Sequence, residues 1–340
     1  MAYMFYYLYK RRGDGEHLER AFHYLKLAAD LRSTSKAKKE VTFLCGDAGF
    51  YVLKALCYYE DGNQKKVNYY IDQLKSLGNL KVKSCEILYG WSGYLYSLLL
   101  LNKHIPNAID PTYINTIANK IISLGLNHPS KPPKCPLMYS WPTSSSKYLG
   151  AAHGLSGILY HLMHVPGLCD TPKARDLVKG SLDYLKSIVS EGGNWEFFVP
   201  QGEKCTTADD DVAQWCHGAV GFTFMWARAY EVFQEKSYLE MAEMCANLTW
   251  EKGLIRKGRG LCHGISGNGY VFIELYKLTR KQEYWDKAIQ FLAFCWSEQA
   301  KEMYTPDCPY SLFEGVAAIP FYVADVLDPL HSWGFPGYGL

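Results

Sequence analysis

Two tetrapeptides in the second half of the chain set a thiol beside an imidazole: Trp215-Cys216-His217-Gly218 and Leu261-Cys262-His263-Gly264. Thiolate sulfur and imidazole nitrogen are donors that zinc prefers, and three protein donors leave the fourth tetrahedral position for water or a substrate. One Cys-His pair ahead of a glycine has an ordinary explanation, a buried thiol at a helix start. Two pairs in one register weigh the other way, toward a single zinc ion held by Cys216, Cys262 and a histidine. His217 and His263 stand in equivalent places, so spacing alone does not rank them. A third histidine, His153, has the same register but follows Ala152 instead of a cysteine. It should lie beside the metal without binding it, where an imidazole can act as general acid or base. Glu86, four residues before Gly90, is a weaker candidate for the same centre, because a carboxylate at a helix start also complements the helix dipole. Lys257 and Arg259, just ahead of Cys262, carry cations that could hold the carboxylates of an anionic thiol.

These residues need elements that bring them together, and a small-residue signature supplies them. It reads Cys45-Gly46-Asp47-Ala48-Gly49, Tyr89-Gly90-Trp91-Ser92-Gly93, His153-Gly154-Leu155-Ser156-Gly157, His217-Gly218-Ala219-Val220-Gly221, His263-Gly264-Ile265-Ser266-Gly267 and Glu314-Gly315-Val316-Ala317-Ala318. Each copy precedes an apolar run at helical spacing. A second, more charged amphipathic stretch then follows, as over residues 67–77, 173–189, 238–250 and 283–296. The unit is a helical hairpin. Its paired glycines should let the apolar helix start close against a neighbouring backbone and leave amide N–H groups free toward a central space. A period of about 45 to 65 residues suits helix pairs, and the Pro-, Ser- and Lys-rich stretch 128–147 absorbs surplus length as loop. If the hairpins close in a ring, the glycine ends meet at one mouth; an open superhelix is the alternative, and closure is preferred because the histidines and cysteines stand at the same point of several repeats and converge only if those ends face one centre. The chain is therefore expected to be all-α, an (α/α) toroid formed by one domain over residues 1–340.

Composition narrows the function. Hydrophobic residues make up 48% of 340 and charged residues 21%, which is enough apolar material for a large core. The formal charge of +2 is spread along the chain, so no nucleic-acid footprint is visible. No apolar run, the four leucines at 98–101 included, approaches the roughly 20 residues of a membrane span. The aromatic-then-basic start is not a signal peptide, and the chain reads as cytoplasmic. Eleven cysteines at irregular spacing inside helical segments argue against a disulfide framework. No pair of carboxylates shares the repeat register, which sets aside a helical-ring glycosidase.

Taken together, these stretches resemble the lanthionine synthetase C-like family, in its eukaryotic branch, over nearly the whole chain. The resemblance rests on Phe43-Leu44-Cys45-Gly46-Asp47-Ala48-Gly49, Leu88-Tyr89-Gly90, Gly150-Ala151-Ala152-His153-Gly154-Leu155, Trp215-Cys216-His217-Gly218, Lys257-Gly258-Arg259-Gly260-Leu261-Cys262-His263-Gly264, Thr305-Pro306-Asp307 and Ser311-Leu312-Phe313-Glu314-Gly315. It implies a sevenfold double-ring helical barrel with one Zn2+ bound by Cys216, Cys262 and His263. His217 is thereby left as a weak catalytic candidate, as Glu86 is. It further implies addition of the glutathione thiol to dehydroalanine or dehydrobutyrine in proteins, with His153 as proton donor and Lys257 against glutathione. Binding of zinc and glutathione without turnover, in an adaptor, is the alternative. Protein partners on the outer helices are a further expectation. The family's second glutathione-contacting segment begins with arginine, whereas here it reads Tyr304-Thr305-Pro306-Asp307, one cation fewer. The sevenfold pattern shows only six glycine signatures, so the first repeat is expected to be incomplete. Residues 1–9 would be the tail of its inner helix and residues 16–31 its outer helix, with a seam of the ring nearby.

Overall fold

The computed structural model describes residues 1–34, 40–142, 144–200, 213–303, 306 and 308–340. Among these residues the chain is all-α, with fourteen α-helices and a single isolated bridge, Tyr148 to Phe198, in place of any strand. They divide into two compact units, 1–119 with Leu340, and 120–339. No described helix is long and apolar enough to cross a membrane.

The first unit opens with the hairpin of α1 (Ala2–Arg12) and α2 (Gly15–Thr34), turned by Gly13 at φ +69°. The hairpin α3 (Asp47–Glu60) and α4 (Gln64–Ser76) follows, and then α5 (Trp91–His104), with α6 (Pro111–Leu126) running out of the unit. The two kinds of helix differ as their patterns require. Every residue of α5 from Trp91 to Leu101 is buried, because that stretch carries no charge on any face. In α4 only Val67, Ile71 and Leu74 are buried, one stripe at helical spacing.

The second unit repeats the hairpin in α7 (Leu155–Leu162) with α8 (Pro172–Ser187), α9 (Ala219–Phe233) with α10 (Lys236–Lys252), and α11 (Ile265–Thr279) with α12 (Gln282–Cys295). A short α13 (Glu298–Lys301) and an unpaired α14 (Ala318–Leu327) complete it. The segment after α14 then folds into the unit's interior. Phe335 stacks on Trp215 at 4.9 Å between ring centroids, and the Tyr338 hydroxyl donates to the Ala151 carbonyl at 3.2 Å.

That segment also fixes a buried histidine. The two ring nitrogens of His161, a residue of α7, face the carbonyls of Gly157 at 2.7 Å and Gly337 at 3.1 Å. Full burial disfavours the imidazolium and outweighs both carbonyls, lowering the pKa to about 4. The unfolded chain takes up this proton near pH 6.5, the folded site only near pH 4. Stability from this residue is therefore complete above pH 6.5 and falls as the pH drops through that window, by about 3 kcal/mol. His161→Gln should flatten the decline in unfolding free energy measured between pH 7 and 4.

The signature glycines work by close approach, as their spacing suggests. A Cβ on the second glycine would sit 2.1 Å from the Phe43 oxygen at Gly49, 2.0 Å from the Ile87 oxygen at Gly93 and 1.9 Å from the Leu261 oxygen at Gly267. The amides at the helix starts, however, are not free. Asp47, Trp91, Leu155 and Ile265 donate to the carbonyls of Glu40, Ser84, Tyr148 and Gly258, each seven residues earlier. The preceding loop caps the helix with its own main chain, which is why these helices carry no side-chain cap. A methyl group cannot enter such a turn without opening it. Gly93→Ala, remote in sequence from the cysteines and histidines of interest, should cost about 3 kcal/mol of stability, read as a lower thermal midpoint.

Candidate metal centre

The same loops bring the thiols together. Ala152, Cys216, Cys262 and Phe313 each stand two residues before a signature glycine. They are joined main chain to main chain: the Cys262 amide donates to the Phe313 carbonyl at 2.7 Å, the Cys216 amide to the Cys262 carbonyl at 3.2 Å, and the Ala152 amide to the Cys216 carbonyl at 3.4 Å. Equivalent positions of successive repeats are thus neighbours, and the two cysteines face each other as a consequence. The spacing is protected by Gly150, whose Cβ would meet the Cys216 oxygen at 2.4 Å.

Cys216, Cys262 and His263 each offer one donor atom, and these atoms lie within 4.8 Å of one another. Cys216 is buried, the other two half-buried. The pair of thiols holds its charge on Cys216, whose pKa is pulled well down because Cys262 and His263 donate hydrogen bonds to its sulfur. Cys262, donating to that sulfur and desolvated, keeps its proton and is pushed up. A buried sulfur whose ionisation is favoured by the hydrogen bonds and imidazoles around it is a donor that a divalent cation completes, so the donor set fits zinc with one position to spare.

His217 does not join the cluster, although its register matches that of His263. Its ring stacks on Phe197 at 4.5 Å between centroids and lies 5.6 Å from Tyr148 and 6.2 Å from His153. Burial keeps it neutral, with His153 and Lys257 opposing a charge there and the Cys216 thiolate favouring one. The turn that carries it differs from its equivalents. Gly218 has φ +100° where Gly264 has −136°, and the first amide of α9 is capped by the Asn194 side chain at 2.9 Å. His153 is half-buried in the same surroundings, edge-on to Trp141 at 4.8 Å and 5.5 Å from Tyr148. Three aromatic rings and two imidazoles therefore form one box beside the cysteines.

Lys257 reaches this region from an exposed position, and its ammonium donates to the buried Gln214 amide oxygen at 3.1 Å. Its charge favours ionisation of Cys262, so the cation is close to the cluster. Arg259 instead points its guanidinium at the Cys295 carbonyl that ends α12, at 3.4 Å. Glu86 belongs to the first unit and is buried. Its carboxylate accepts from the amides of Leu88 at 2.8 Å and Tyr89 at 2.6 Å and from the Ser84 hydroxyl at 3.1 Å. It shapes the turn before Gly90. Tyr304, Thr305 and Asp307 lie outside the described residues, and Pro306 is half-buried. Trp141, Tyr148, Phe197 and Gln214 escaped the sequence reading. Trp141 lies within the loop stretch 128–147 and Tyr148 directly after it, without any period, and only their aromatic character could have marked them.

The model of the family described as lanthionine synthetase C-like protein matches residues 1–339. The chain belongs to that family. It is 37% identical over 342 residues to a zebrafish (Danio rerio) protein named glutathione S-transferase LANCL1, covering 98% of this chain and 81% of that one. To the LanC-like protein GCL1 of Arabidopsis thaliana it is 30% identical over 321 residues, 88% and 70% of the two chains. Among solved structures it is similar to nisin cyclase, with a TM-score of 0.73 at 17% identity over 96% of this chain and 86% of that one. The last likeness shows the fold, the helical toroid that the repeat implied.

Proposed function

We propose that this member of the family is a zinc-dependent transferase that adds the thiol of glutathione to dehydroalanine or dehydrobutyrine residues of proteins. The cluster of Cys216, Cys262 and His263 carries the reading, in a chain similar to a protein named glutathione S-transferase. Zinc bound by these three residues would supply a lowered thiol pKa, so that a glutathione sulfur is a thiolate at neutral pH.

The remaining work falls to the chain itself. Lys257, steadied by Gln214, receives a glutathione carboxylate. Residues 304–307 are assigned to the same ligand, with Tyr304 offering a ring and hydroxyl where its relatives offer a cation. In the addition a carbon–sulfur bond forms at the β-carbon and the electrons of the double bond move toward the carbonyl. A proton must then reach the α-carbon, and His153 delivers it. His217, kept neutral by its burial, is the second imidazole within the same aromatic box. Glu86 has no step here, since both its oxygens are engaged with its own turn.

The test is to incubate purified protein with glutathione and a dehydroalanine peptide and to follow the mass gain of one glutathione. Removal of metal by a chelator should abolish the addition, and zinc should restore it. Zinc with no turnover would favour the adaptor, and folded protein that takes up no zinc would refute the site.

A further inference from the structure

A second concavity of the same unit lies on the other side of the segments that build the aromatic box. Residues 147–149 pair with 197–199: the Leu149 amide donates to the Phe197 carbonyl at 3.0 Å and the Val199 amide to the Lys147 carbonyl at 2.9 Å. Tyr148 and Phe197 contact the two histidines, while Lys147 and Val199 line a cavity of about 680 Å³. Lys131 and Lys134 are also in its wall, with Pro132, Ile188 and Pro200 among the apolar part, and among the described residues no carboxylate lines it. Lys131 is tethered to the end of α6 through the Leu126 carbonyl at 2.7 Å. Among the described residues none of the three lysines has an anionic partner. Lys147 and Lys131 both oppose protonation of the neighbouring His128, so their charges gather in one place.

Three lysines with no ion-pair partner among the described residues, around an apolar floor, are complementary to a chain that carries carboxylates on apolar stems. A free anion would leave the floor unused. A nucleic-acid strand needs an open track of cations with stacking rings, and here the lysines surround a pocket of small-ligand size. We propose that this cavity docks an Asp- or Glu-bearing segment of the polypeptide acceptor and so presents the adjoining residue to the candidate active site. The role of the bound segment as acceptor rests on the function proposed above; the binding itself does not. Lys147 also lines a second cavity of about 640 Å³ with Ser146, Phe198 and Glu196, and the carboxylate there turns an acidic segment back toward the three lysines.

The experiment is fluorescence anisotropy of a labelled peptide with alternating Glu and Leu, beside its Gln counterpart, on the full chain. The Glu peptide should bind at least about tenfold more tightly than the Gln peptide and lose that advantage as salt rises. Lys134→Glu with Lys147→Glu should weaken it about tenfold or more, while Lys134→Arg retains binding as a control for folding. Addition of glutathione to a small uncharged dehydroalanine amide should be unchanged in the doubly reversed protein, and addition to an acidic dehydroalanine peptide reduced. Equal binding of the Glu and Gln peptides, indifference to charge reversal, or equal competition by polyphosphate and single-stranded DNA would overturn the proposal, whatever becomes of the zinc chemistry.

Discussion

Cys262→Ala is expected to leave the purified protein with well under one zinc per chain and to lower glutathione addition by about a thousandfold or more, because two protein donors hold zinc poorly and the thiol loses its activation. The fold should survive. The main-chain bonds of residue 262 to Phe313 and Cys216 do not depend on its side chain, and that side chain is half-buried. Elemental analysis and far-ultraviolet circular dichroism on the same sample would separate the two effects. One retained zinc per chain would mean that another donor, His217 first, completes the site. Unchanged turnover would remove zinc from the chemistry.

His153→Asn should behave differently, keeping zinc and glutathione affinity while lowering kcat about a hundred- to ten-thousandfold, the usual contribution of a placed proton donor. Asparagine is preferred to alanine because the ring stands edge-on to Trp141, and a smaller residue would loosen the box. A protein that binds zinc and glutathione but performs no addition would show no effect of this substitution in any assay, so the variant divides the two readings of the family resemblance.

How much of this could be read from the residues depended on periodicity. The hairpins were legible because one glycine pattern recurs ahead of each apolar helix, and the segments expected at 16–31, 67–77 and 283–296 are α2, α4 and α12 within a few residues. The convergence of Cys216 and Cys262 was legible for the same reason. What the spacing could not show was the fate of the helix amides, since a carbonyl seven residues upstream leaves no trace in side-chain type. Nor could it separate His217 from His263, which differ through the backbone of the next glycine, left-handed at Gly218 and extended at Gly264. Glu86, a weak candidate for the centre by its place before Gly90, accepts three local hydrogen bonds in its own turn, a pattern that side-chain spacing does not reveal. The aromatic box came from a loop stretch in which residues have no period to betray their partners.

The hydrogen-bonded succession Ala152, Cys216, Cys262, Phe313 amounts to a rack with four slots. The backbone fixes where each slot is, so its content can change without refolding, and neighbouring slots always face each other. Two of the four hold sulfur. A metal centre built this way is acquired or lost by single substitutions in an otherwise unaltered frame. The sulfur donors then follow from which slots are filled, and the third donor, His263, stands one residue past the Cys262 slot. Alanine at 152, next to the Cys216 slot, adds no donor, and under the proposed function the position it leaves open is the one a substrate sulfur would take.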